Sequence, residues 1–358
     1  MKNSNLTRAR RAKNDEFYTQ LSDIEKELKH YKEHFKGKTV LCNCDDPFES
    51  NFFKYFATNF NHLGLKKLIT TCYADSHISY TQYSLFDNEP REPKQKRKAY
   101  KVVLTHVGDV NGDGFLNMDD ILQLVHEEGN SIELLKGDGD FRSEECIEIL
   151  KEADIVVTNP PFSLFRDFVT TLEKYKRKYI IVGPQNAIVY KEVFPLIKED
   201  KLWFGYNKIK GFMQPNGAIK LFGNICWFTN ISIPKRMECI PLYASYNSDD
   251  YSYYDNYDAI EVSKVKDIPY DYKGVMGVPV TFLDKYNPEQ FEIIGMCENL
   301  DLYKLKTRVY TIEECKNRYF ELFGKKGVYD LNASGVVNGK KLYARILIRN
   351  RHPEEVSR

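Results

Sequence analysis

An Asn-Pro-Pro-Phe tetrapeptide, Asn159 to Phe162, contains the residues of this chain best suited to do chemistry. Pro160 and Pro161 lack a backbone N–H and fix their own φ angles, and Pro160 also keeps Asn159 out of the α region. The segment is therefore stiff and extended. It presents an amide side chain at Asn159, a carbonyl at Pro160 and an aromatic face at Phe162, which together could hold a planar amino group.

Holding an aromatic amine in this way would activate it as a nucleophile. The lone pair of such an amine is delocalised into its ring, and one acceptor for each N–H would pull the nitrogen toward tetrahedral geometry and localise the pair. Phe162 would stack on the ring. A base within duplex DNA would first have to leave the stack. The plainer interpretation is that the tetrapeptide only ends a strand.

The elements around the tetrapeptide predict an α/β fold. The apolar strand Ile155–Thr158 leads directly into it, and strand and helix patterns alternate through residues 38–200, which is typical of a parallel sheet covered on both faces. The predicted strands are 38–44, 65–73, 102–107, 155–158, 179–183 and 340–350, and residues 219–231 resemble a hairpin. Helices are predicted over 22–35, around the aromatic residues at 52, 53, 56 and 60, and over 143–152, 165–175 and 191–198. A change in composition predicts two parts, a catalytic domain over 1–240 and a second region over 241–358.

Composition permits an enzyme and excludes few other classes. The chain has 358 residues and a net charge of +1, from 52 basic and 51 acidic residues, so a nucleic-acid surface would have to arise from local clustering. The eight cysteines show no zinc or disulfide spacing. Without an apolar run of membrane length or a signal peptide, we expect a cytoplasmic protein with no membrane partner, as a monomer or weak dimer.

Four segments carry a resemblance to the EcoRI-type family of adenine-N6 DNA methyltransferases. They are Val157 to Phe165 around the tetrapeptide, Lys13-Asn14-Asp15-Glu16-Phe17-Tyr18-Thr19, Gly137-Asp138-Gly139-Asp140-Phe141, and Tyr343-Ala344-Arg345-Ile346. The resemblance extends over nearly the whole chain. It implies a class I methyltransferase fold, Rossmann-like with a mostly parallel sheet, and methyl transfer from S-adenosylmethionine to adenine in double-stranded DNA. It also implies base flipping, a restriction-modification or phage context, and a C-terminal target-recognition region.

The same resemblance implies where the cofactor would bind. The family's N-terminal segment folds over the methionine end of the cofactor, and the ends of the first strands and the 137–141 turn contact the rest. The candidate cofactor residues are Tyr18, Thr19, Asn43, Asp45, Asp46, Asp75, Asp138, Asp140 and Phe141. Asp45 would lie near the sulfonium or amino group, Asp75 near the ribose, and Phe141 against the adenine. The chain departs from the usual glycine-rich first motif, reading Cys-Asn-Cys-Asp-Asp-Pro over residues 42–47.

A separate segment, residues 109–120, fits a calcium-binding loop. Its candidate ligands are Asp109, Asn111, Asp113, Phe115, Asn117 and Asp120, and a helical pattern follows it. A single loop ending in Asp in place of the bidentate Glu would bind Ca²⁺ weakly, in a structural role. The alternative is an acidic turn held by its own Asx hydrogen bonds.

The residues alone leave two other hypotheses open, a methyltransferase with a different substrate and a protein without catalytic activity. Glutamine methyltransferases acting on proteins also use Asn-Pro-Pro, normally followed by Tyr, and an RNA adenine is a further possible substrate. The third hypothesis is a nucleic-acid or calcium-binding module without catalysis. Phe162 and the long C-terminal region argue against the glutamine substrate. In that region, tyrosines over 243–257 and Arg345, Arg349 and Arg351 could contact DNA.

Overall fold

The computed structural model describes residues 18–44, 50–72, 99–110, 112, 116–125, 129–213 and 219–354. The chain divides into two compact units, Met1–Ile231 and Ser232–Arg358. The change in composition predicts a division at residue 240, whereas the two compact units divide after Ile231. Within the described ranges, no helix is long and apolar enough to cross a membrane.

A large mixed sheet forms the centre of the first unit. Over the described residues its nine strands are β1 (Tyr18–Thr19), β2 (Thr39–Asn43), β3 (Lys67–Thr71), β4 (Tyr100–Leu104), β5 (Ser131–Leu134), β6 (Ile155–Thr158), β7 (Lys178–Pro184), β8 (Trp203–Met213) and β9 (Ile219–Thr229). Their order across the sheet is β1-β8-β9-β7-β6-β2-β3-β4-β5.

Parallel pairing is confined to the middle of this sheet. Strands β3, β2, β6 and β7 run parallel, whereas every pairing outside them is antiparallel. All residues of β2 and β6 are buried, as expected for parallel strands covered on both faces. The sheet is therefore mixed, and the mostly parallel character that the sequence predicts belongs to its four central strands.

Helices flank the sheet, and three of the eight described begin at a side-chain cap. They are Leu21–Leu28, Lys32–Phe35, Asn51–Thr58, Phe60–Leu63, Met118–Leu124, Glu144–Glu152, Phe165–Lys174 and Phe194–Lys198. Ser50 and Ser143 cap the helices that follow them. The helix predicted over 191–198 begins only at Phe194, because Pro195 is tolerated in the first turn and not in a helix interior.

A buried carboxylate, that of Glu27, joins the first helix to strand β8. Glu27 is fully buried and accepts hydrogen bonds from the backbone N–H groups of Tyr206 and Asn207, each at 2.8 Å, and from the Tyr31 hydroxyl at 3.0 Å. A side chain at Gly205 would collide with the Glu27 carboxylate, so β8 can approach it only because residue 205 is glycine. These bonds fix β8, which lies next to β1, relative to helix Leu21–Leu28.

The second unit contains a smaller sheet. Its four strands are β10 (Ile260–Glu261), β11 (Met276–Pro279), β12 (Phe291–Met296) and β15 (Arg345–Asn350), in the order β10-β11-β15-β12. Strands β13 (Val336–Val337) and β14 (Lys340–Lys341) form a separate pair, and one helix spans Ile312–Phe323. The tyrosine-rich segment divides between interior and surface, since Tyr254 and Tyr257 are buried while Tyr243 and Tyr253 are exposed.

The three C-terminal arginines have partners inside this unit. Arg345 makes a bidentate ion pair with Glu261, with a closest distance of 2.8 Å, and both side chains are largely buried. Arg349 lies 3.4 Å from Glu292 at the surface, and Arg351 donates to the carbonyl of Pro288. The guanidinium of Arg345 thus links β15 to β10, and its contact with DNA stays a prediction.

Candidate active site

The Asn-Pro-Pro-Phe segment lies at the carboxyl end of β6, next to the carboxyl end of β2. The register pairs Leu41 with Val156, which brings Asn43 level with Thr158. The buried Thr158 hydroxyl donates a hydrogen bond to the backbone carbonyl of Asn43, so the two strand ends are joined directly. Strand β2 pairs with β3 on one side and with β6 on the other. Open α/β sheets bind ligands at such a switch in strand order.

The tetrapeptide itself leads from the strand into a helix. Asn159 is 8% exposed, Pro160 is buried, and Pro161 and Phe162 are half-buried. Pro161 is extended, with φ −54° and ψ 125°, and its carbonyl accepts a hydrogen bond from the N–H of Leu164 at 2.9 Å. A short 3-10 turn, Phe162–Leu164, then joins helix Phe165–Lys174. The segment thus ends the strand and leads into the helix at the carboxyl edge of the sheet.

A glycine in the neighbouring strand fixes the position of this segment. Phe165, which follows the 3-10 turn, is fully buried with its ring centroid 5.1 Å from that of Phe228. Its ring occupies the space beside Gly183 of β7, and a Cβ atom at residue 183 would overlap it. Helix Phe165–Lys174 is thereby held against β7, and the tetrapeptide is held with it.

The sequence analysis did not identify two further residues of interest, one that contacts the tetrapeptide and one at the same edge of the sheet. Phe212 of β8 meets Phe162 edge-on, with 6.1 Å between ring centroids. Gln185 follows directly after β7, and its side-chain nitrogen Nε2 is buried with no hydrogen-bond partner within the described ranges. The sequence carried one signal for Gln185, because a polar residue after a strand predicted to be parallel lies at the ligand-binding edge.

The N-terminal strand brings a candidate cofactor residue to the same edge. Thr19 of β1 pairs with Phe212, and its carbonyl accepts a hydrogen bond at 2.8 Å from Asn51, in the first turn of the helix after β2. Thr19 is 3% exposed and Asn43 is 7% exposed. The Thr19 hydroxyl and the Asn43 side-chain oxygen are buried without a hydrogen-bond partner in the part of the chain that is described. Tyr18 is placed in the strand by its backbone pairing with Met213.

The turn predicted to face the cofactor adenine lies at the end of β3. Gly139, at φ 81°, packs against the carbonyl of Cys72 so closely that a Cβ atom there would collide with it. Asp138 accepts a hydrogen bond from the N–H of Asp140 at 3.0 Å. The turn is thus positioned beside the cofactor edge by a close backbone approach that only glycine allows.

Two members of this turn are already engaged by protein neighbours. The Asp140 carboxylate binds the Arg142 guanidinium at 2.6 and 2.9 Å, and this pairing lowers the pKa of Asp140. Phe141 is 7% exposed, and its ring meets that of Phe168 edge-on at 5.0 Å. These contacts leave Asp138 as the more open carboxylate of the pair and only a small part of the Phe141 ring for a ligand. Asp45, Asp46 and Asp75 lie outside the described residues.

The segment predicted to bind calcium forms a turn and a helix start. Asp120 is fully buried, and its two carboxylate oxygens accept the N–H groups of Val110 at 3.0 Å and Asn117 at 2.9 Å. Asn117 caps helix Met118–Leu124, and Asp109 accepts the N–H of Gly112. Asn111, Asp113 and Phe115 lie outside the described residues. No group of three or more His, Cys, Asp or Glu in the described part could hold a metal ion, so the calcium prediction is without support.

Comparison with known proteins identifies the family. A family model described as adenine-specific methyltransferase EcoRI matches residues 5–351. The chain is 43% identical to the type II methyltransferase M.EcoRI of Escherichia coli, with 98% of this chain and 97% of that protein aligned. It is 34% identical to M.MgeORF184P of Mycoplasma genitalium and 34% identical to M.MpnI of Mycoplasma pneumoniae, both type II methyltransferases, over 96% and 97% of this chain and 98% of each relative.

No solved structure matches the chain significantly. The family match covers both structural units and includes the Asn159–Phe162 segment at the carboxyl edge of the sheet. The resemblance seen in the sequence is confirmed: the chain belongs to the EcoRI family of adenine-specific methyltransferases.

Proposed function

We propose that this protein transfers a methyl group from S-adenosylmethionine to the N6 amino group of a flipped adenine in double-stranded DNA, with Asn159–Phe162 as the catalytic segment. One observation carries the proposal. The segment stands at the switch point of the sheet, joined through Thr158 to the end of β2, so the amine and the cofactor would meet at one edge.

The residues at this edge fit a cofactor with polar groups. S-adenosylmethionine, when bound, supplies a methyl group on a positively charged sulfur. The buried oxygens of Thr19 and Asn43 are acceptors suited to an ammonium group or a ribose hydroxyl. A buried acceptor with no protein partner is costly, roughly 1–3 kcal/mol, unless a ligand satisfies it. Asp138 is the candidate for the adenine end, while Tyr18, Asp45, Asp46 and Asp75 stay predictions from the resemblance.

Asn159 and Pro160 would hold the target amine. Each offers an oxygen to one N–H of the amine, which localises the nitrogen lone pair and orients it toward the methyl group. Phe162 would stack on the base, with Phe212 supporting its ring edge-on. After the N–C bond forms and the S–C bond breaks, the extra proton on the amine leaves to water. No general base is needed before transfer.

Gln185 would add a donor to this pocket. Its buried Nε2 group can donate to a ring nitrogen of the base, complementing the two acceptors that hold the exocyclic amine. Adenine presents such an acceptor beside its amino group. The second unit, Ser232–Arg358, is proposed as the target-recognition part. A cytoplasmic location and a monomeric or weakly dimeric state stay predictions from the sequence.

The test is methyl transfer from tritiated S-adenosylmethionine to duplex DNA, RNA or a glutamine-containing protein. We expect label in DNA adenine. Asn159→Ala should lower kcat by about 10²-fold or more, because a preorganised acceptor is lost, while cofactor binding measured by calorimetry stays unchanged. Asn159→Asp, which keeps the acceptor oxygens, should retain more activity than Asn159→Ala.

Thr170→Ala is the control, since Thr170 is an exposed residue of the helix that follows the catalytic segment. It should methylate DNA at the normal rate. Label found only in protein or RNA would overturn the proposed substrate. Normal turnover by Asn159→Ala would overturn the role of Asn159 and leave the substrate assignment intact.

A further inference from the structure

The β8–β9 hairpin is longer than the strands beside it. Strand β9 pairs with β7 only from Ile225 to Thr229, the last pair being Ile225 with Pro184 at the carboxyl end of β7. Because β9 runs antiparallel to β7, its residues before Ile225 extend past the end of β7. We call residues 208–213 and 219–224 the hairpin arm; Lys208 and Ile209 lie level with the last residues of β7, and the rest of the arm extends beyond them. It projects from the same edge at which Asn159 lies.

The hairpin arm contacts the catalytic segment through Phe212, one residue before the last described strand pair of the hairpin. Phe212 is fully buried and its ring meets that of Phe162 at 6.1 Å. The arm is also tied to the N-terminal strand, since Gln20 donates to the carbonyl of Gly211 at 3.0 Å. A ligand whose amine is held by Asn159 and Phe162 therefore lies beside the arm.

The hairpin carries only positive charge. Between Trp203 and Thr229 the sequence contains three lysines and no acidic residue, although 51 of the 358 residues of the chain are acidic. The three, Lys208, Lys210 and Lys220, all have exposed side chains. A chain with a net charge of +1 has little overall attraction for a polyanion, so a local cluster of this kind is where phosphates would bind.

Large apolar side chains are exposed on the same arm. Ile219 is 60% exposed and Leu221 is 78% exposed, and both lie over Gly211 of the paired strand. Side by side, these two side chains form a small apolar surface on a hairpin whose charged residues are all lysines. Proteins that distort DNA insert such side chains against the faces of unstacked bases.

We propose that the hairpin arm binds the duplex beside the flipped adenine. Lys208, Lys210 and Lys220 contact backbone phosphates, and Leu221, supported by Ile219, packs against the bases left exposed when the adenine leaves the stack. The proposal rests on the proposed function, because it needs duplex DNA at the Asn159 edge. It assigns DNA contacts to the first unit, in addition to any made by the second.

The proposal is tested with Lys210→Gln and Leu221→Ser in the full-length protein. Their matched controls are Lys36→Gln and Leu122→Ser, which change an exposed lysine and an exposed leucine elsewhere in the first unit. Affinity for a fluorescent duplex is measured by anisotropy at several salt concentrations with cofactor present. Base flipping is followed by the fluorescence of 2-aminopurine at the target position, which rises when the base leaves the stack.

Lys210→Gln should weaken binding and reduce the slope of log K against log salt by about one, because one phosphate contact is lost. Leu221→Ser should keep the salt slope but lower the 2-aminopurine signal and reduce kcat/KM about tenfold. Both controls should behave as wild type. If both arm variants bind, flip and methylate normally while Asn159→Ala is inactive, the arm proposal is overturned and the proposed function stands.

Two other results would also contradict the proposal that the hairpin arm binds DNA. A wild-type dimer that Leu221→Ser converts to a monomer in sedimentation would assign the surface to a second copy of this chain. Binding to vesicles of anionic lipid that both arm variants lose, with DNA affinity unchanged, would assign it to a membrane surface. A wild-type protein that methylates no DNA would overturn the proposed function itself.

Discussion

At three residues of the candidate site, a buried polar atom has no hydrogen-bond partner among the described residues. These atoms are the oxygens of Thr19 and Asn43 and the amide nitrogen of Gln185. Leaving such an atom unpaired costs roughly 1–3 kcal/mol, so folded proteins retain it where a ligand supplies the partner. All three follow or belong to strands at one edge of the sheet, which is why we assign them to ligand binding and not to stability.

Replacing Gln185 tests this assignment at a single residue. Gln185→Met removes an unpaired donor, so we expect the melting temperature to be unchanged or slightly raised, while kcat/KM for duplex DNA falls about tenfold through loss of one hydrogen bond. Thermal melting and steady-state methylation measure the two effects separately.

Gln290→Met is the structural contrast to this variant. Gln290 exchanges hydrogen bonds of 2.7 and 2.8 Å with the backbone of Ile240. Its replacement should lower the melting temperature. If Gln185→Met lowers it equally and leaves kcat/KM unchanged for the folded fraction, Gln185 is a structural residue.

Packing between elements decides whether the catalytic segment is held rigidly. Helix Phe165–Lys174 begins three residues after Phe162, and its first residue fills the space beside Gly183 of β7. Since Phe165 is fully buried, its ring cannot move without displacing the helix start. The position of Asn159 thus depends on the packing of Phe165 against Gly183, neither of which belongs to the proposed catalytic segment.

We expect Gly183→Ala to lower the free energy of unfolding by about 1–3 kcal/mol, because the added methyl overpacks a filled core. It should also lower kcat, since the helix start and the tetrapeptide shift together. Urea denaturation and single-turnover methylation are the measurements. Adding Phe165→Leu should restore part of both.

Gly108→Ala is the control, because a Cβ atom at residue 108 meets no atom within 4 Å. It should leave stability and turnover as they are. Full activity of Gly183→Ala at reduced stability would show that this packing supports folding without positioning the catalytic segment.

At the scale of the whole molecule, the arginines of the second unit show that a residue in a family-like segment can have a structural role. Arg345 belongs to a segment that resembles the methyltransferase family, yet its guanidinium is paired with Glu261 at 2.8 Å and both are largely buried. Tyr254 also donates to Glu261. The second unit therefore uses this cluster to hold its sheet together.

Breaking the Arg345–Glu261 pair should destabilise the protein. We expect Arg345→Met to lower the free energy of unfolding by about 3–5 kcal/mol, because it leaves a buried carboxylate uncompensated, and the double variant Arg345→Met with Glu261→Gln to recover part of this. Arg349→Met, which removes a surface pair, should cost less than about 1 kcal/mol. Normal stability of Arg345→Met together with lost DNA affinity would make Arg345 a DNA contact.

Local patterns predicted the elements well where one signal dominated. The strand before Asn159 and the helices after Ser143 and at Phe165 follow from the pattern of apolar residues along the sequence. The helix predicted over 22–35 is instead interrupted by a 3-10 turn at Lys29–Tyr31, and the outer strands are antiparallel. Pairing direction depends on partners distant in the sequence, which periodicity does not report.

The sequence by itself determined the family and predicted the catalytic chemistry, because two prolines restrict their own backbone and an amide and a ring have fixed donor and acceptor properties. Only the tertiary structure decided which distant residues join them. Thr158 bonds to Asn43 from 115 positions away, Gln185 follows β7 at the carboxyl edge of the sheet, and Lys210 and Lys220 lie on strands that extend beyond the end of β7. Strand order is set by burial of the whole sheet, so no local stretch of the chain contains it.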